Sequence, residues 1–457
     1  MRPWVVSWKN FRGFEEAADI EFPRLTILIG RNNVGKTSAY APLLLLRQTL
    51  DARDPRTALL TRGDLIDAGS YKDLVTDHET DRTMVFSVGL DQEVPVRRSS
   101  QSKREPAQLE LSFGLHGDED IYLSKSRVLD RSGKALVTRS RAGSSSYSVS
   151  SPILPAAAGS GRPLREISQL RKALRDEQPE NFLFNGMRAL VIPRNWREDR
   201  ERWNKAREWL AAVSELVDIY WDVNHELRGK LGSISYLGPL RSLPKRTYQV
   251  SAERPNEVGR DGEFAPELLL RNSSEEVRNL VDDWLLRLGY GKLDFEMRGD
   301  DFFQVYLCAN GTSGLRVNLA HCGVGLSQLL PTLVQGATAP KGSTLISQQP
   351  EIHLNPAQQC HVTDFLIDTA IANRRVIVET HSEHILLRLR RRIAEGKIPS
   401  SDVAVYYCDA RDGRSFIEKV PMGGKAELDR SDWPSGFFEE QLEDSMALAV
   451  AQMRQGG

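Results

Sequence analysis

The octapeptide Gly30-Arg31-Asn32-Asn33-Val34-Gly35-Lys36-Thr37 satisfies the pattern G-x-x-x-x-G-K-[ST] at every required position. Its flanks give the pattern meaning. Leu25-Thr26-Ile27-Leu28-Ile29 is a short, apolar, partly β-branched run that reads as a buried strand. Ser38 to Leu50 is rich in Ala and Leu and reads as a helix. A strand feeding a glycine loop that opens a helix aims consecutive backbone N–H groups, and the positive end of the helix, at one point. That point suits phosphate. The loop N–H groups from Gly30 through Asn32, Asn33 and Gly35 to Lys36, Thr37 and Ser38 would cradle it. Lys36 would reach the terminal phosphates and Thr37 would hold Mg²⁺. Pro42 removes one helical hydrogen bond and predicts a kink beyond the phosphate site.

Composition narrows the setting. A chain of 457 residues has room for two or three domains, and its 40% hydrophobic and 27% charged content is ordinary for a globular protein. The formal net charge of −1 argues against a bulk electrostatic grip on nucleic acid, while leaving local basic patches open. Cys308, Cys322, Cys360 and Cys408 are widely separated and lack metal-ligand spacing. They read as reduced, structural thiols. No apolar run is long enough to span a bilayer, and no signal peptide precedes Trp4, so the expectation is a cytoplasmic protein without membrane contact.

Along the chain, Trp4–Trp8 and Ala18–Phe22 read as a hairpin about a turn at Asn10–Phe14, and Met84–Leu90 and Leu109–Phe113 as antiparallel strands. From about 91 to 232 the character changes. Ser140–Ser151 is Ser-rich and reads as a mobile loop, and Trp203–Leu227 carries apolar residues at helical spacing. This stretch is expected to be an inserted, mostly helical subdomain between head segments 1–90 and 233–457. Trp209 and Tyr220 read as its core.

Three further motifs lie close together. Thr344–Leu354 contains a buried strand that delivers Gln348-Gln349-Pro350-Glu351 at its end. Phosphate-loop ATPases carry there an acid that holds Mg²⁺ and a second that orients the attacking water. An amide does neither through charge. Glu351 is the nearest carboxylate, as a catalytic acid or as a cap for the next segment. Arg375–Ser382 is a second buried strand ending in Glu379-Thr380-His381-Ser382, where His381 is positioned to report a terminal phosphate. Gly323-Val324-Gly325-Leu326-Ser327 opens a helix whose N-terminus points at a neighbour's nucleotide. His353 and His361 lack zinc spacing with His381.

At these residues the chain resembles the ABC-type ATPase heads of the SMC, RecF and OLD-like group. More narrowly, it resembles stand-alone prokaryotic "AAA family" predicted ATPases found beside defence genes. Asn10–Phe14, Gly30–Thr37, Gly323–Gln328, Gln349–Leu354 and Glu379–Ser382 carry the likeness, with Tyr236–Arg241 and Trp433–Phe438 resembling the narrower subfamily. The resemblance implies an α/β ABC/SMC-type head: a mixed sheet around a phosphate-loop helix plus an antiparallel β lobe. It implies ATP and Mg²⁺ as ligands and a homodimer, or higher homo-oligomer, closed around two nucleotides. Each nucleotide would lie between one copy's phosphate loop and the other's Gly323, Gly325 and Ser327. Arg12 would approach phosphate, Thr37 and Gln348 the metal, and Gln348, Gln349, Glu351 and His381 the reaction. The group generally has an acid at position 348, so Gln348 implies ATP binding with slow hydrolysis. Three functions remain open. One is an ATPase gating a separate nuclease or toxin in antiphage defence. Another is a RecF-like clamp that binds DNA through Arg388–Arg392, a run that reads equally as a solvated helix face. The third is an ATP-dependent scaffold holding a toxin.

Overall fold

The structure, a computed structural model, describes residues 2–90, 106–117, 120–144, 146–155, 165–185, 200–271, 273–308 and 315–427. From the N-terminus come β1 (Trp4–Phe11), β2 (Phe14–Phe22) and β3 (Leu25–Gly30). A 3₁₀ turn over Lys36–Ala39 leads into α1 (Ala41–Leu50), and α2 (Tyr71–Leu74) is a single turn. Strands β4 (Met84–Gly89), β5 (Pro106–His116), β6 (Asp120–Asp130), β7 (Ala135–Arg141) and β8 (Tyr147–Ser150) precede α3 (Arg165–Asp176) and α4 (Arg200–Gly232). Then follow β9 (Ile234–Leu237), β10 (Tyr248–Gln249), α5 (Ala265–Arg271), α6 (Glu275–Arg287), β11 (Lys292–Arg298), β12 (Phe302–Cys308) and β13 (Arg316–Asn318). The remainder is α7 (Val324–Thr338), β14 (Thr344–Gln348), α8 (Pro356–Ile371), β15 (Arg375–Glu379), α9 (Glu383–Ala394), β16 (Val403–Arg411) and β17 (Arg414–Lys419).

These elements form two compact units, one of which gathers residues 22–37 with the described chain from Ser233. Its sheet has the order β17-β16-β3-β15-β14-β9. All neighbours are parallel except β17, which returns antiparallel along β16. Every residue of β3 and of β15 is buried, which is why both read as continuous apolar runs rather than alternating ones. Ile27 and Ile29 of β3 and Val378 of β15 share one core with Leu329 and Leu333 of α7 and Phe365 of α8. The same unit holds a separate antiparallel sheet, β10-β12-β11 with β13 on β12. A mixed sheet around the phosphate-loop strand is the α/β class that the resemblance implies.

Helix α8 starts where its sequence dictates. Asn355 accepts from the Gln358 N–H, the Gln358 side chain answers in a capping box, and Pro356 occupies the first turn. Its Asp364 receives Arg388 (2.6 Å) and Arg392 (2.7 Å) from α9. Arg391 pairs with Glu395, and Arg390 donates to the Ala426 carbonyl. The basic run that suggested DNA contact is thus largely committed within the fold.

The other unit comprises residues 2–21 and 38–232. It carries the antiparallel sheet β2-β1-β4-β5-β6-β7-β8 together with α1, α3 and α4. Sequence patterning missed β6, β7 and β8, and this unit takes in more chain than the expected insert. The Ser-rich stretch is a strand pair, because Arg141 pairs with Tyr147 and the buried Tyr147 ring meets Phe184 edge-on at 5.0 Å. Arg139 of β7 is fully buried, and its guanidinium donates to Tyr220 Oη, the Leu174 carbonyl and Glu177. Trp209 and Tyr220 are buried, as expected of core. Pro42 makes no kink, since it sits in the first turn of α1, where no hydrogen bond is lost. The Trp433–Phe438 run and residues 91–105 of the expected insert lie outside the described residues.

Burial pushes the Asp364 carboxyl up, but hydrogen bonds from Arg392 and Arg388 outweigh it and hold the group well below the carboxylate range. Its stabilising effect is therefore present above the unfolded pKa, near 3.9, and is lost as pH falls through the depressed folded value. Asp364→Asn should cost about 3 kcal/mol at neutral pH, the scale for breaking a mostly buried pair. In urea unfolding, the gap from the natural chain should narrow as pH is taken below about 4.

Candidate functional site

Ligands of parallel sheets collect beyond the carboxyl ends of the strands. In the unit that carries the phosphate loop, three such ends are set by register: Leu28 of β3 stands beside Glu379 of β15, and Glu379 beside Gln348 of β14. The loop leaves β3 through Gly30, whose φ of +141° suits only glycine. A Cβ there would lie 2.0 Å from the Cys408 carbonyl oxygen of β16. Asn33 and Gly35 also take positive φ, at 63° and 97°, so the loop folds back on itself with Asn32 and Asn33 in solvent. Lys36 is buried, and its ammonium donates to the carbonyls of Gly30 (3.1 Å) and Arg31 (2.5 Å). Burial pulls its pKa down, against the opposing pull of Glu379, Cys408 and Glu351.

A directed chain of hydrogen bonds joins the strand ends. Tyr236 Oη of β9 donates to Gln348 Oε1 at 2.9 Å, and Gln348 Nε2 donates to Thr37 Oγ1 at 3.3 Å. Thr37 Oγ1 in turn donates to Glu379 Oε2 at 2.9 Å. Each group has the polarity its neighbour needs. An ionised carboxylate at position 348 would have no proton for Thr37. Burial pushes the Tyr236 hydroxyl up to about 12, so it stays a donor.

A second layer holds the turn after β14. Buried Arg241 donates to the carbonyls of Gln348 (2.8 Å) and Gln349 (3.0 Å). Burial lowers its pKa to about 10. Gln349 adopts φ +46° and donates its N–H to the Glu379 carbonyl. Gln328 of α7 exchanges hydrogen bonds with the Arg241 backbone, which ties α7 to the same turn. Glu351 is 9% exposed; its Oε1 accepts the His381 N–H at 2.9 Å, while Oε2 has no hydrogen-bond partner among the described residues. Burial raises the Glu351 pKa. Burial, then Lys36, lowers that of His381, so its imidazole is neutral at neutral pH. Both residues border an open pocket of about 360 Å³ with Gln359, Ser382, Glu383 and His384.

The structure therefore brings Gly30, Lys36, Thr37, Gln348, Gln349, Glu351 and His381 into one neighbourhood. Gly323 and Gly325 lie at the start of α7, where Gly325 packs closely and a Cβ would meet the His353 carbonyl oxygen at 2.9 Å. Ser327 is buried and donates to the Val324 carbonyl one turn back, so it does not project outward. Arg12 belongs to the other unit, where its guanidinium donates to Ser38 Oγ at 3.3 Å. Sequence reasoning passed over Glu379, Tyr236 and Arg241 as site residues. The available signal was position: Glu379 ends an apolar strand just as Gln348 does.

This donor set fits its expected ligands. Thr37, Gln348 and Glu379 offer hard oxygen atoms with one carboxylate, and Mg²⁺ bound beside phosphate commonly uses one or two carboxylates and keeps several waters. The loop backbone between Gly30 and Gly35, together with Lys36, offers the positive cradle that phosphate requires.

A family profile described as "AAA domain, putative AbiEii toxin, Type IV TA system" matches residues 25–387. Among solved structures, the chain is similar to the SMC head domain from Thermotoga maritima at 13% identity and a TM-score of 0.37, covering 92% of this chain and 100% of that one. It is also similar to the Smc head domain with an extended coiled coil bound to the C-terminal domain of ScpA, derived from Pyrococcus furiosus. There the identity is 12% and the TM-score 0.40, with 99% of each chain covered. Likenesses of this size say nothing about ligands or partners. No curated protein matches the sequence.

Two glycines separate structural need from accident. Gly30→Ala should destabilise the protein by more than about 3 kcal/mol, since positive φ and a backbone collision act together. Gly323 has nothing within 4 Å of a built Cβ and an ordinary φ of −60°, so Gly323→Ala should change stability by less than about 0.5 kcal/mol. Thermal melts of the two variants check both.

Proposed function

The chain belongs to the family described as "AAA domain, putative AbiEii toxin, Type IV TA system", and from that premise we propose that it is an ATPase whose ATP-bound form is a dimer. The observation that carries this reading is the cluster at the strand ends: a loop entered through Gly30, where no side chain fits, the buried Lys36, and Thr37 between Gln348 and Glu379. Lys36 and the loop N–H groups would bind the phosphates, and Thr37 with its neighbours would hold Mg²⁺. A bound Mg²⁺ would neutralise charge on the terminal phosphates. The turn at Gly323 supports the dimer, because α7 begins at Val324, whose side chain is 48% exposed. A second copy could use that helix end to complete the site.

Hydrolysis by this machinery is expected to be slow. Gln348 and Gln349 can orient a water, but neither can take its proton. The nearby carboxylate of Glu351 already accepts the His381 N–H through one oxygen. A slow ATPase suits a switch that holds a bound state. Gating of a separate nuclease or toxin, as in antiphage defence, accords with that kinetic character and with the toxin–antitoxin wording of the family description. The DNA-clamp reading loses its best support, because Arg388 and Arg392 are both paired with Asp364.

With ATP·Mg²⁺ the natural chain should double its mass in light scattering, and Lys36→Ala should not; an unchanged mass in both proteins would end the sandwich-dimer reading. Gln348→Glu should turn ATP over faster in a phosphate-release assay, whereas equal rates would remove Gln348 as the cause of slow hydrolysis.

A further inference from the structure

We propose that Glu379, at the end of β15, is the carboxylate that holds the divalent cation beside Thr37, in place of an acid at the end of β14. This rests on the nucleotide reading above and deepens it. The argument begins with register. In parallel strands, residues paired across the ladder point to the same face of the sheet, so Gln348 and Glu379 are side-by-side neighbours at one edge. Strand β15 lies between β14 and β3, which makes Glu379 the nearer of the two to the strand that feeds the phosphate loop.

Contact and polarity agree with that placement. Glu379 is 4% exposed and its Oε2 accepts the Thr37 hydroxyl at 2.9 Å. Gln348 spends its amide differently, accepting from Tyr236 and donating to Thr37. The amide thus orients the threonine while the carboxylate carries the charge. With an amide at 348, the charge at this pair of positions sits on Glu379. The other nearby carboxylate, Glu351, is engaged by the His381 N–H and borders the pocket with Gln359 and His384.

The test compares nucleotide affinity with and without metal, which does not depend on turnover. The full-length natural chain, Glu379→Gln, Glu379→Asp and Gln348→Ala are each titrated with a fluorescent non-hydrolysable ATP analogue, in Mg²⁺ and in EDTA. The natural chain should bind more tightly in Mg²⁺. Glu379→Gln should lose about tenfold or more of that gain, the scale on which metal-site substitutions act, with affinity in EDTA not weakened. Glu379→Asp, which keeps the charge but withdraws it by one methylene, should fall between them. It also serves if the glutamine variant fails to fold, as judged by thermal melting. Gln348→Ala should lose the smaller part of the Mg²⁺ gain. An equal or reversed ranking of Gln348→Ala and the Glu379 variants would overturn the assignment while leaving nucleotide binding intact. If the natural chain binds the analogue in neither condition, the nucleotide reading itself fails, and this assignment with it.

Discussion

The parallel register of β3, β15 and β14 is the constraint on which the site depends. Beyond their carboxyl ends stand a phosphate-loop threonine, a carboxylate and an amide, within hydrogen-bond reach of one another although they come from distant parts of the chain. Backbone ladders hold that arrangement, and one face of the sheet packs on a core shared with α7 and α8. Side chains alone could not maintain it. Gln348 has too many rotamers to meet Thr37 unless β14 and the loop that leaves β3 are fixed first.

The second layer explains why the turn after β14 keeps a costly shape. Gln349 takes a left-handed conformation, which a non-glycine residue adopts only when its surroundings compel it. Here the compulsion is the Arg241 guanidinium on two successive carbonyls and the Glu379 carbonyl on the Gln349 N–H. Gln328 of α7 grips the backbone of that same arginine. The helix that begins at Gly323 is thereby joined to the strand end that neighbours Thr37. The hydrogen bonds along this connection are buried, and each costs free energy to leave unmade.

Some of this was legible early. The phosphate loop, β3, β14, β15 and the helix at Gly323 were readable because buried parallel strands and glycine turns leave local signatures. Strands β6 to β8 were not, since Ser-rich and charged residues there are held by pairing and by the buried Arg139 rather than by their own preference. The run Arg388–Arg392 looked like a charged surface because sequence does not reveal that Asp364, on the preceding helix, faces it. Pro42 looked like a kink because the helix was expected to start three residues too early.

From sequence alone, the chain was committed to a phosphate-binding loop between a buried strand and a helix, with an amide where the group's acid is expected. Those are local facts: eight consecutive residues and the ends of two apolar runs. Which carboxylate stands beside Thr37 is a different kind of fact. Glu379 lies 342 residues away in the chain, and its place depends on β15 being inserted between β3 and β14. Only the strand order settles that, because register is a property of the assembled sheet and no single segment contains it.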